Sequence, residues 1–496
     1  MDDTVAIPTS AALSPTEVRR IIIGIILAML LAAMDQTIVA TALPTIGNDL
    51  GDLEHLPWVV TAYLLSGTAV TPIYGKLSDI VGRRPMLLIG VAIFVASSIL
   101  SALAPTMWVL ILARFLQGLG GGGLIALAQT IIADIVAPRD RARYQAYFAS
   151  VFVTASIAGP ILGGFFAEKL HWSFIFWINL PLGALALALS NRSLKQLPRH
   201  ERPHRLDFLG AGLMTVATVT LLLALSWGGA EYPWTSLQVI GLIVVSAIAW
   251  VLFVWRLLTA DEPFIPLSVM FHPVVATATA SNFFAVGTSV ALTIYIPIYF
   301  EAVLGLTASQ SGLALIAFVG GSVAGAQIAA RVTAMATHYK RSPVIGMVVA
   351  VIGMAVLAFG PTLPLWLLEV LLLVTGTGLG TIFPVTTLSM QNAVPLHQLG
   401  TATASFNFFR SLGSAIFVAL FGAIFIGGLG LGGQAIGSLE QLVSEAAAHG
   451  TAVAPAFRYV FVASVVTLAL GYVFVLLMKE VPLRSGRPAA SAAVSE

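Results

Sequence analysis

Two opposite charges lie inside apolar stretches of this sequence. Asp35 interrupts the apolar run 21–43, and Arg114 lies in a second run that begins at Met107. A charge at bilayer depth is costly, so such residues are usually paired, lie on a water-filled path, or exchange protons. At 1.5 Å per residue, both side chains fall roughly 10–12 Å from the same membrane face. The sequence therefore predicts a direct or water-bridged contact between Asp35 and Arg114.

A carboxylate beside an arginine is under two opposed influences. The guanidinium favours the ionised acid, whereas removal from water favours the protonated acid. Such an acid can release its proton when a cationic substrate arrives. We therefore interpret Asp35, Arg114 and Gln117 as a proton and substrate coupling site. The alternative is a static ion pair that fixes helix packing.

A charged turn follows the second apolar run, between residues 75 and 85. Its notable residues are Gly75, Asp79, Gly82, Arg83 and Arg84. Gly82 permits a left-handed backbone, and Asp79 can accept hydrogen bonds from arginines or from a helix N-terminus. We predict a cytoplasmic gate here. A plain topology signal, the alternative, accounts for the arginines but not for Asp79.

The fifth apolar run contains Gly159, Pro160, Gly163 and Gly164. Proline kinks a helix, and glycines let two helices approach backbone to backbone. The functional interpretation is a bend at a moving interface, and the alternative is close packing alone.

A further set of polar residues lies in the C-terminal half. Its members are Asn282, Tyr295, Glu301, Glu369, Asn407 and Arg410. We predict them as cavity residues, with alternatives for several. Glu301 falls at an outer helix end, Glu369 can snorkel to the surface, and Arg410 either lines the cavity or pairs structurally.

Composition restricts the protein class. Hydrophobic residues make up 58% of the 496 residues and DEKR only 9%, whereas a soluble domain is about 25% charged. Mean hydropathy is +0.96. The net charge of +2 does not favour a nucleic-acid partner, and the absence of cysteine excludes disulfides and thiolate metal sites. The composition predicts an integral membrane protein in a lipid bilayer.

Runs of about 20 apolar residues mark membrane spans. Fourteen are found, at 21–43, 58–77, 86–104, 107–135, 144–168, 173–191, 207–227, 236–257, 272–300, 308–331, 343–360, 364–390, 398–427 and 457–479. With the N-terminus inside, twenty Lys and Arg residues fall in inner segments and two in outer ones. Because inner loops carry the excess of basic residues, both termini are predicted to be cytoplasmic.

A shift of 257 positions superimposes unusual residues of the two halves. Arg83-Arg84 falls on Lys340-Arg341, and Pro138 falls on Pro395. Internal repeats of this kind are typical of secondary transporters. The predicted domains are a cytoplasmic N-terminus 1–20, a six-helix bundle 21–191, a basic linker 192–206, two inserted helices 207–257, a second six-helix bundle 258–479 with an outer loop 428–456, and a cytoplasmic tail 480–496.

Several segments resemble the major facilitator superfamily, in particular its fourteen-span drug:proton antiporter branch of the multidrug resistance protein B type. They are MDQTIVATALP at 34–44, GKLSDIVGRRPML at 75–87, RFLQGLGGG at 114–122, GPILGG at 159–164 and WSFIFWINLPLG at 172–183. One departure is that His171 and Ser173 flank Trp172 where the branch often has basic or aromatic-basic residues.

The resemblance implies an all-α fold of two six-helix bundles plus two inserted helices around a central cavity. It assigns coupling to Asp35, proton-relay support to Arg114, gate locking to Asp79 and Arg83, and the antiporter bend to Gly159 and Pro160. No phosphate-loop pattern is present. We therefore expect no cofactor, with the proton gradient as the energy source.

The predicted function is a proton-coupled multidrug antiporter that exports amphipathic or cationic compounds by alternating access across the cell inner membrane, without enzyme activity. The expected substrate is a hydrophobic or cationic small molecule. Accessory periplasmic proteins are possible partners, and no metal or nucleic acid is expected. The alternatives are an exporter of one metabolite, siderophore or lipid, and a membrane-embedded sensor or enzyme.

Overall fold

A computed structural model describes the chain as a bundle of membrane-length helices. The residues described are 15–52, 55–136, 138–196, 206–229, 231–335, 338–359, 363–429 and 453–483. Most of the predicted N-terminal segment, basic linker, outer loop and tail lies outside these residues. Within them, the fold is all-α, and the only β-type pairing is the single bridge between Gly228 and Tyr232.

The N-terminal bundle contains eight helical segments. They are α1 (Pro15–Leu50), α2 (Trp58–Val81), α3 (Arg83–Ala102), α4 (Met107–Gly121), α5 (Leu124–Ile135), α6 (Pro138–Lys169), α7 (Phe174–Trp177) and α8 (Asn179–Ser193), and a 3₁₀ turn (Leu194–Gln196) follows. The inserted pair comprises α9 (Phe208–Trp227) and α10 (Leu237–Thr259).

The C-terminal bundle begins after the inserted pair. Its helices are α11 (Leu267–Met270), α12 (Pro273–Leu304), α13 (Ala308–Met335), α14 (Arg341–Phe359), α15 (Leu365–Gly380), α16 (Ile382–Ala393), α17 (Leu399–Gly428) and α18 (Ala454–Leu477), with a 3₁₀ turn (Leu396–Gln398) before α17. Six spans in each bundle and two between them give the predicted fold.

Thirteen helices of the described chain are long and apolar enough to cross a bilayer, counting α4–α5, α7–α8 and α15–α16 as one each. The fourteenth predicted span, α2, has 24 residues but is not among these thirteen. Its polar side chains include Ser66, Thr71 and Ser78, all buried against neighbouring helices. A helix packed inside a bundle needs fewer apolar residues than one that faces lipid.

The fourth span of each bundle differs from the prediction because it is interrupted. Residues 107–135 form α4 and α5, which are separated at Gly122 and Gly123. A Cβ atom at Gly122 would meet the backbone of Gly67 in α2, so the break lies at a close helix contact. The break between α15 and α16, at Thr381, is at nearly the equivalent position of the other bundle.

The two bundles repeat the same neighbour relations. In the first, α1 packs on α6 and α8, and α4 packs on α2 and α3. In the second, α12 packs on α17 and α18, and α15 packs on α13 and α14. The bundles meet at two seams, α2 with α17 and α6 with α13. This pattern agrees with the internal repeat seen in the sequence.

The inserted pair packs beside one seam. Helix α9 contacts both α2 and α17. The ring of Trp227 in α9 lies 5.7 Å from that of Trp58, and Trp250 in α10 lies 6.3 Å from Phe408 in α17. The inserted pair therefore touches both bundles rather than one.

Candidate functional site: a buried ion pair, an interbundle clasp and a central cavity

Asp35 and Arg114 form the ion pair that is expected from their similar predicted depth in the membrane. Arg114 Nη1 lies 2.5 Å from Asp35 Oδ2. Helix α1 carries the acid at mid-length, and α4 carries the arginine two turns after its start at Met107. The same Nη1 lies 2.6 Å from Gln117 Oε1, and Arg114 Nε donates to the Val59 carbonyl at 3.0 Å.

Neutral polar side chains complete the shell around the carboxylate. Gln117 Nε2 donates to Asp35 Oδ1 at 2.9 Å and to Ser98 Oγ at 2.8 Å. Asn179, the first residue of α8, donates to the same two oxygens at 3.4 and 3.2 Å. Side chains of α4 and α8 thus donate to the acid on α1, and Ser98 of α3 accepts from two of them. Such hydrogen bonding is how a buried charge is usually satisfied.

The ion pair is closed to water in this conformation. Asp35 is 0% and Arg114 1% exposed. The Arg114 guanidinium lies 4.4 Å from the ring centre of Tyr63, a cation–π contact that covers it on the cavity side. Arg114 and Tyr63 line the central cavity, whereas Asp35 does not. Arg114 therefore stands between the acid and the cavity.

Asp79 joins the two bundles at the basic end, by which we mean the end with Arg83 and Arg341. Its carboxylate accepts from the backbone N–H of Gly400 at 3.0 Å and of Thr401 at 2.7 Å, and from the Thr401 hydroxyl at 2.6 Å. These amides lie in the first turn of α17, where N–H groups lack helical partners. Asp79 of one bundle therefore caps a helix of the other.

Arg83 holds Asp79 in position. Its Nη1 bonds to Asp79 Oδ1 and its Nε to Asp134 Oδ2 at 3.0 Å. Gly82 makes the tight turn with φ of +105°, the left-handed conformation that its sequence position predicts. Arg84 points away from this clasp and donates to the Asn191 side chain.

Two further contacts close the basic end. A Cβ atom at Gly75 would collide with Ala404 and the Gly400 carbonyl, so α2 and α17 touch there without a side chain between them. Deeper in the membrane, Asn407 Nδ2 donates to Gln129 Oε1 at 2.7 Å across the interface. The central cavity lies beyond these contacts, toward the opposite end.

The glycines of α6 pack against α1. Cβ atoms at Gly159 and Gly163 would meet Thr37 and Thr41, whereas Gly164 faces no atom within 4 Å. Pro160 lies inside α6, which continues through it without a break. These contacts are consistent with close helix packing, which was the alternative to a bend at a moving interface.

The central cavity has a volume of about 850 Å³ and is lined by both bundles. Of the predicted cavity residues, Asn407 and Arg410 line it. The other four lie outside its lining and correct the prediction: Asn282, Tyr295, Glu301 and Glu369. Asn282 is fully buried, and the Tyr295 hydroxyl donates to the Val418 carbonyl between α12 and α17. The sequence places these four residues on membrane helices but does not show which side of each helix faces the cavity.

Sequence reasoning missed five residues of the site. They are Ser98, Gln129, Asp134, Asn179 and Thr401. Gln129 and Asn179 carry the signal that identified Asp35, a polar residue within an apolar run. The inserted pair was also given no role, yet Leu222, Leu225 and Ser226 of α9 line the cavity. In the described chain, no cluster of His, Asp and Glu side chains could hold a metal ion.

Comparison with known proteins identifies the family. Residues 25–418 match the sequence model of the Major Facilitator Superfamily. The chain belongs to the major facilitator superfamily. It is 36% identical to Multidrug resistance protein 3 of Bacillus subtilis (strain 168), over 82% of this chain and 79% of the relative. It is 34% identical to an uncharacterised MFS-type transporter of Mycobacterium tuberculosis (strain ATCC 25618 / H37Rv), over 95% and 71%.

A solved structure of the superfamily has the same architecture. The crystal structure of the human organic anion transporter MFSD10 (TETRAN) superposes with a TM-score of 0.64, over 93% of this chain and 100% of that one. The identity is 18%, so the likeness shows the fold alone. The chain is a multi-pass membrane transporter of the major facilitator superfamily and not an enzyme.

Proposed function

We propose that this transporter is a proton-coupled antiporter that exports amphipathic drugs by alternating access, as a member of the fourteen-span drug:proton branch. The observation that carries the proposal is the buried Asp35–Arg114 pair beside a cavity lined by both bundles. Relatives at about one-third identity are named multidrug transporters and efflux pumps. The proton gradient, rather than a cofactor, is the proposed energy source.

The proposed states follow from where the bundles touch. Asp79 and Gly75 hold the basic end closed, so this conformation is closed to the cytoplasm if the basic end lies inside. In this proposal both termini are cytoplasmic, and the protein lies in the inner cell membrane. Breaking the Asp79 cap and closing the opposite end would give the inward-open state, with residues 21–191 and 258–479 as the moving domains.

The proposed coupling step is exchange of a proton at Asp35. As a carboxylate, Asp35 accepts from Arg114, Gln117 and Asn179. A protonated acid no longer attracts the guanidinium, so Arg114 is free to turn toward the cavity that it already lines. Because the acid is sealed in this conformation, proton entry requires Arg114 or Tyr63 to move.

Transport in proteoliposomes tests the proposal. A pH gradient should drive uphill accumulation of at least one of three dyes, which are cationic ethidium, neutral N-phenyl-1-naphthylamine and anionic 8-anilinonaphthalene-1-sulfonate. We expect Asp35→Asn to abolish gradient-driven accumulation. Asp49→Asn is the matched control, because Asp49 lies on the same helix but is half exposed at its end. Uphill accumulation by Asp35→Asn equal to that of the parent protein would refute the proposed coupling site.

A further inference from the structure

Arg410 is the second arginine that lines the central cavity. It lies in the middle of α17, and its guanidinium carbon is 5.2 Å from the ring centre of Phe383 and 6.0 Å from that of Phe152. Phe383 belongs to the C-terminal bundle and Phe152 to the N-terminal bundle. The guanidinium is therefore held between aromatic faces at the interface of the two bundles.

Arg410 differs from Arg114 because it has no acidic partner. Among the described residues, no Asp or Glu lies within ion-pair distance of Arg410, and no Asp or Glu lines the cavity. Cation–π contacts compensate a buried charge only in part. Since Arg114 is neutralised by Asp35 at 2.5 Å, Arg410 supplies the uncompensated positive charge of the cavity.

The surroundings of Arg410 suit a ligand with one charged group and an apolar body. Asn407, Ser411 and Ser414 line the cavity from the same helix and offer short polar groups. The rest of the lining is mainly apolar, with aliphatic side chains from both bundles and from α9. A guanidinium presents planar N–H donors that match the oxygens of a carboxylate, sulfonate or phosphate.

We propose that Arg410 binds the anionic group of an amphipathic substrate while the apolar wall binds its body. This inference rests on the proposed function, because it takes the central cavity to be the transport cavity. It favours anionic amphipathic substrates over the cationic compounds that the sequence predicts. A cationic ligand would meet an unpaired arginine and no carboxylate to offset it.

Equilibrium binding to the full-length protein in nanodiscs of zwitterionic lipid tests this proposal. The probes are 8-anilinonaphthalene-1-sulfonate and N-phenyl-1-naphthylamine, which share their ring system and differ by the sulfonate. Fluorescence is measured after subtraction of empty nanodiscs. We expect Arg410→Gln to weaken binding of the sulfonate probe about tenfold, as for loss of one charge-assisted hydrogen bond, and to leave the neutral probe unchanged. Arg410→Lys should retain most of the affinity.

Arg458→Gln is the matched control. Arg458 also lies over a phenylalanine ring, 5.7 Å from Phe359, but it does not line the cavity. We expect this variant to bind both probes as the parent protein does. Equal affinity of Arg410→Gln and the parent for the sulfonate probe would overturn the proposal, as would equal losses for both probes.

A measurement on the unmodified protein keeps the test valid if Arg410→Gln does not fold. Octanesulfonate should displace the sulfonate probe at about tenfold lower concentration than octyltrimethylammonium. The reverse order would overturn the proposal. Binding needs no proton gradient, so these results test the anion site separately from the proposed antiport. Gradient-driven transport of ethidium without binding of the sulfonate probe would refute the anion site and leave the antiport proposal intact.

Discussion

Buried polar groups are treated differently in the two bundles. In the N-terminal bundle, Asp35 and Arg114 are satisfied by each other and by Gln117 and Asn179, and both amides also donate to Ser98. In the C-terminal bundle, several buried polar side chains have no hydrogen-bond partner within the described chain. Examples are both polar side-chain atoms of Asn282 and the hydroxyls of Thr387, Thr403 and Ser405. The first arrangement fixes a charge in place, whereas the second leaves buried polar groups whose desolvation is not offset by hydrogen bonds.

The largest effect should come from removing one partner of the saturated pair. Arg114→Gln leaves a sealed carboxylate without its cation, and such a loss costs about 3–5 kcal/mol of stability. Thermal unfolding in detergent measures it. Arg410→Gln, the same change at the unpaired arginine, should alter stability by less than about 1 kcal/mol.

A double variant checks the physical cause of that loss. Asp35→Asn with Arg114→Gln removes both charges, so the combined cost should be smaller than the sum of the two single costs. Additive costs would show that the charges do not depend on each other and would weaken the contrast between the bundles.

An intermediate effect is expected at the contact that joins the bundles. Asp79→Asn removes the negative charge and replaces one of the two oxygens that accept from α17 with an NH2 group, so it should cost about 1–3 kcal/mol. The basic end should open more often, and spin labels at Val81 and Met335 should report longer distances. Labelling is direct because the chain contains no cysteine. Thr401→Val removes one of the three hydrogen bonds and should shift the distances less; an unchanged distribution in Asp79→Asn would count against the clasp.

The smallest change in stability is expected at two buried asparagines, one in each bundle. Asn179 donates to Asp35 and Ser98, so Asn179→Leu should destabilise the protein by about 1–2 kcal/mol. Asn282 is equally buried without hydrogen bonds, so Asn282→Leu should be neutral or stabilising. Thermal unfolding compares the two variants directly. Equal destabilisation would mean that the C-terminal bundle is as well satisfied as the N-terminal one.

The parts of the site that the sequence predicts are those with a strong local signal. Asp35 and Arg114 are recognisable because charges are rare in apolar runs, and helix rise places them at one depth. Partners across the bundle interface have no such signal. The cap that Asp79 provides for Thr401 joins positions 322 residues apart, and only tertiary packing shows it. The cavity face of Arg410 likewise depends on how α17 is rotated, which residue counting does not determine.

The position of the inserted pair has a consequence for lateral access. Because α9 contacts both α2 and α17, it shields that seam from the acyl chains. Its Leu222 and Leu225 form part of the cavity wall. A lipophilic solute that approaches the α2–α17 seam from the bilayer would thus meet α9 before it reached the cavity.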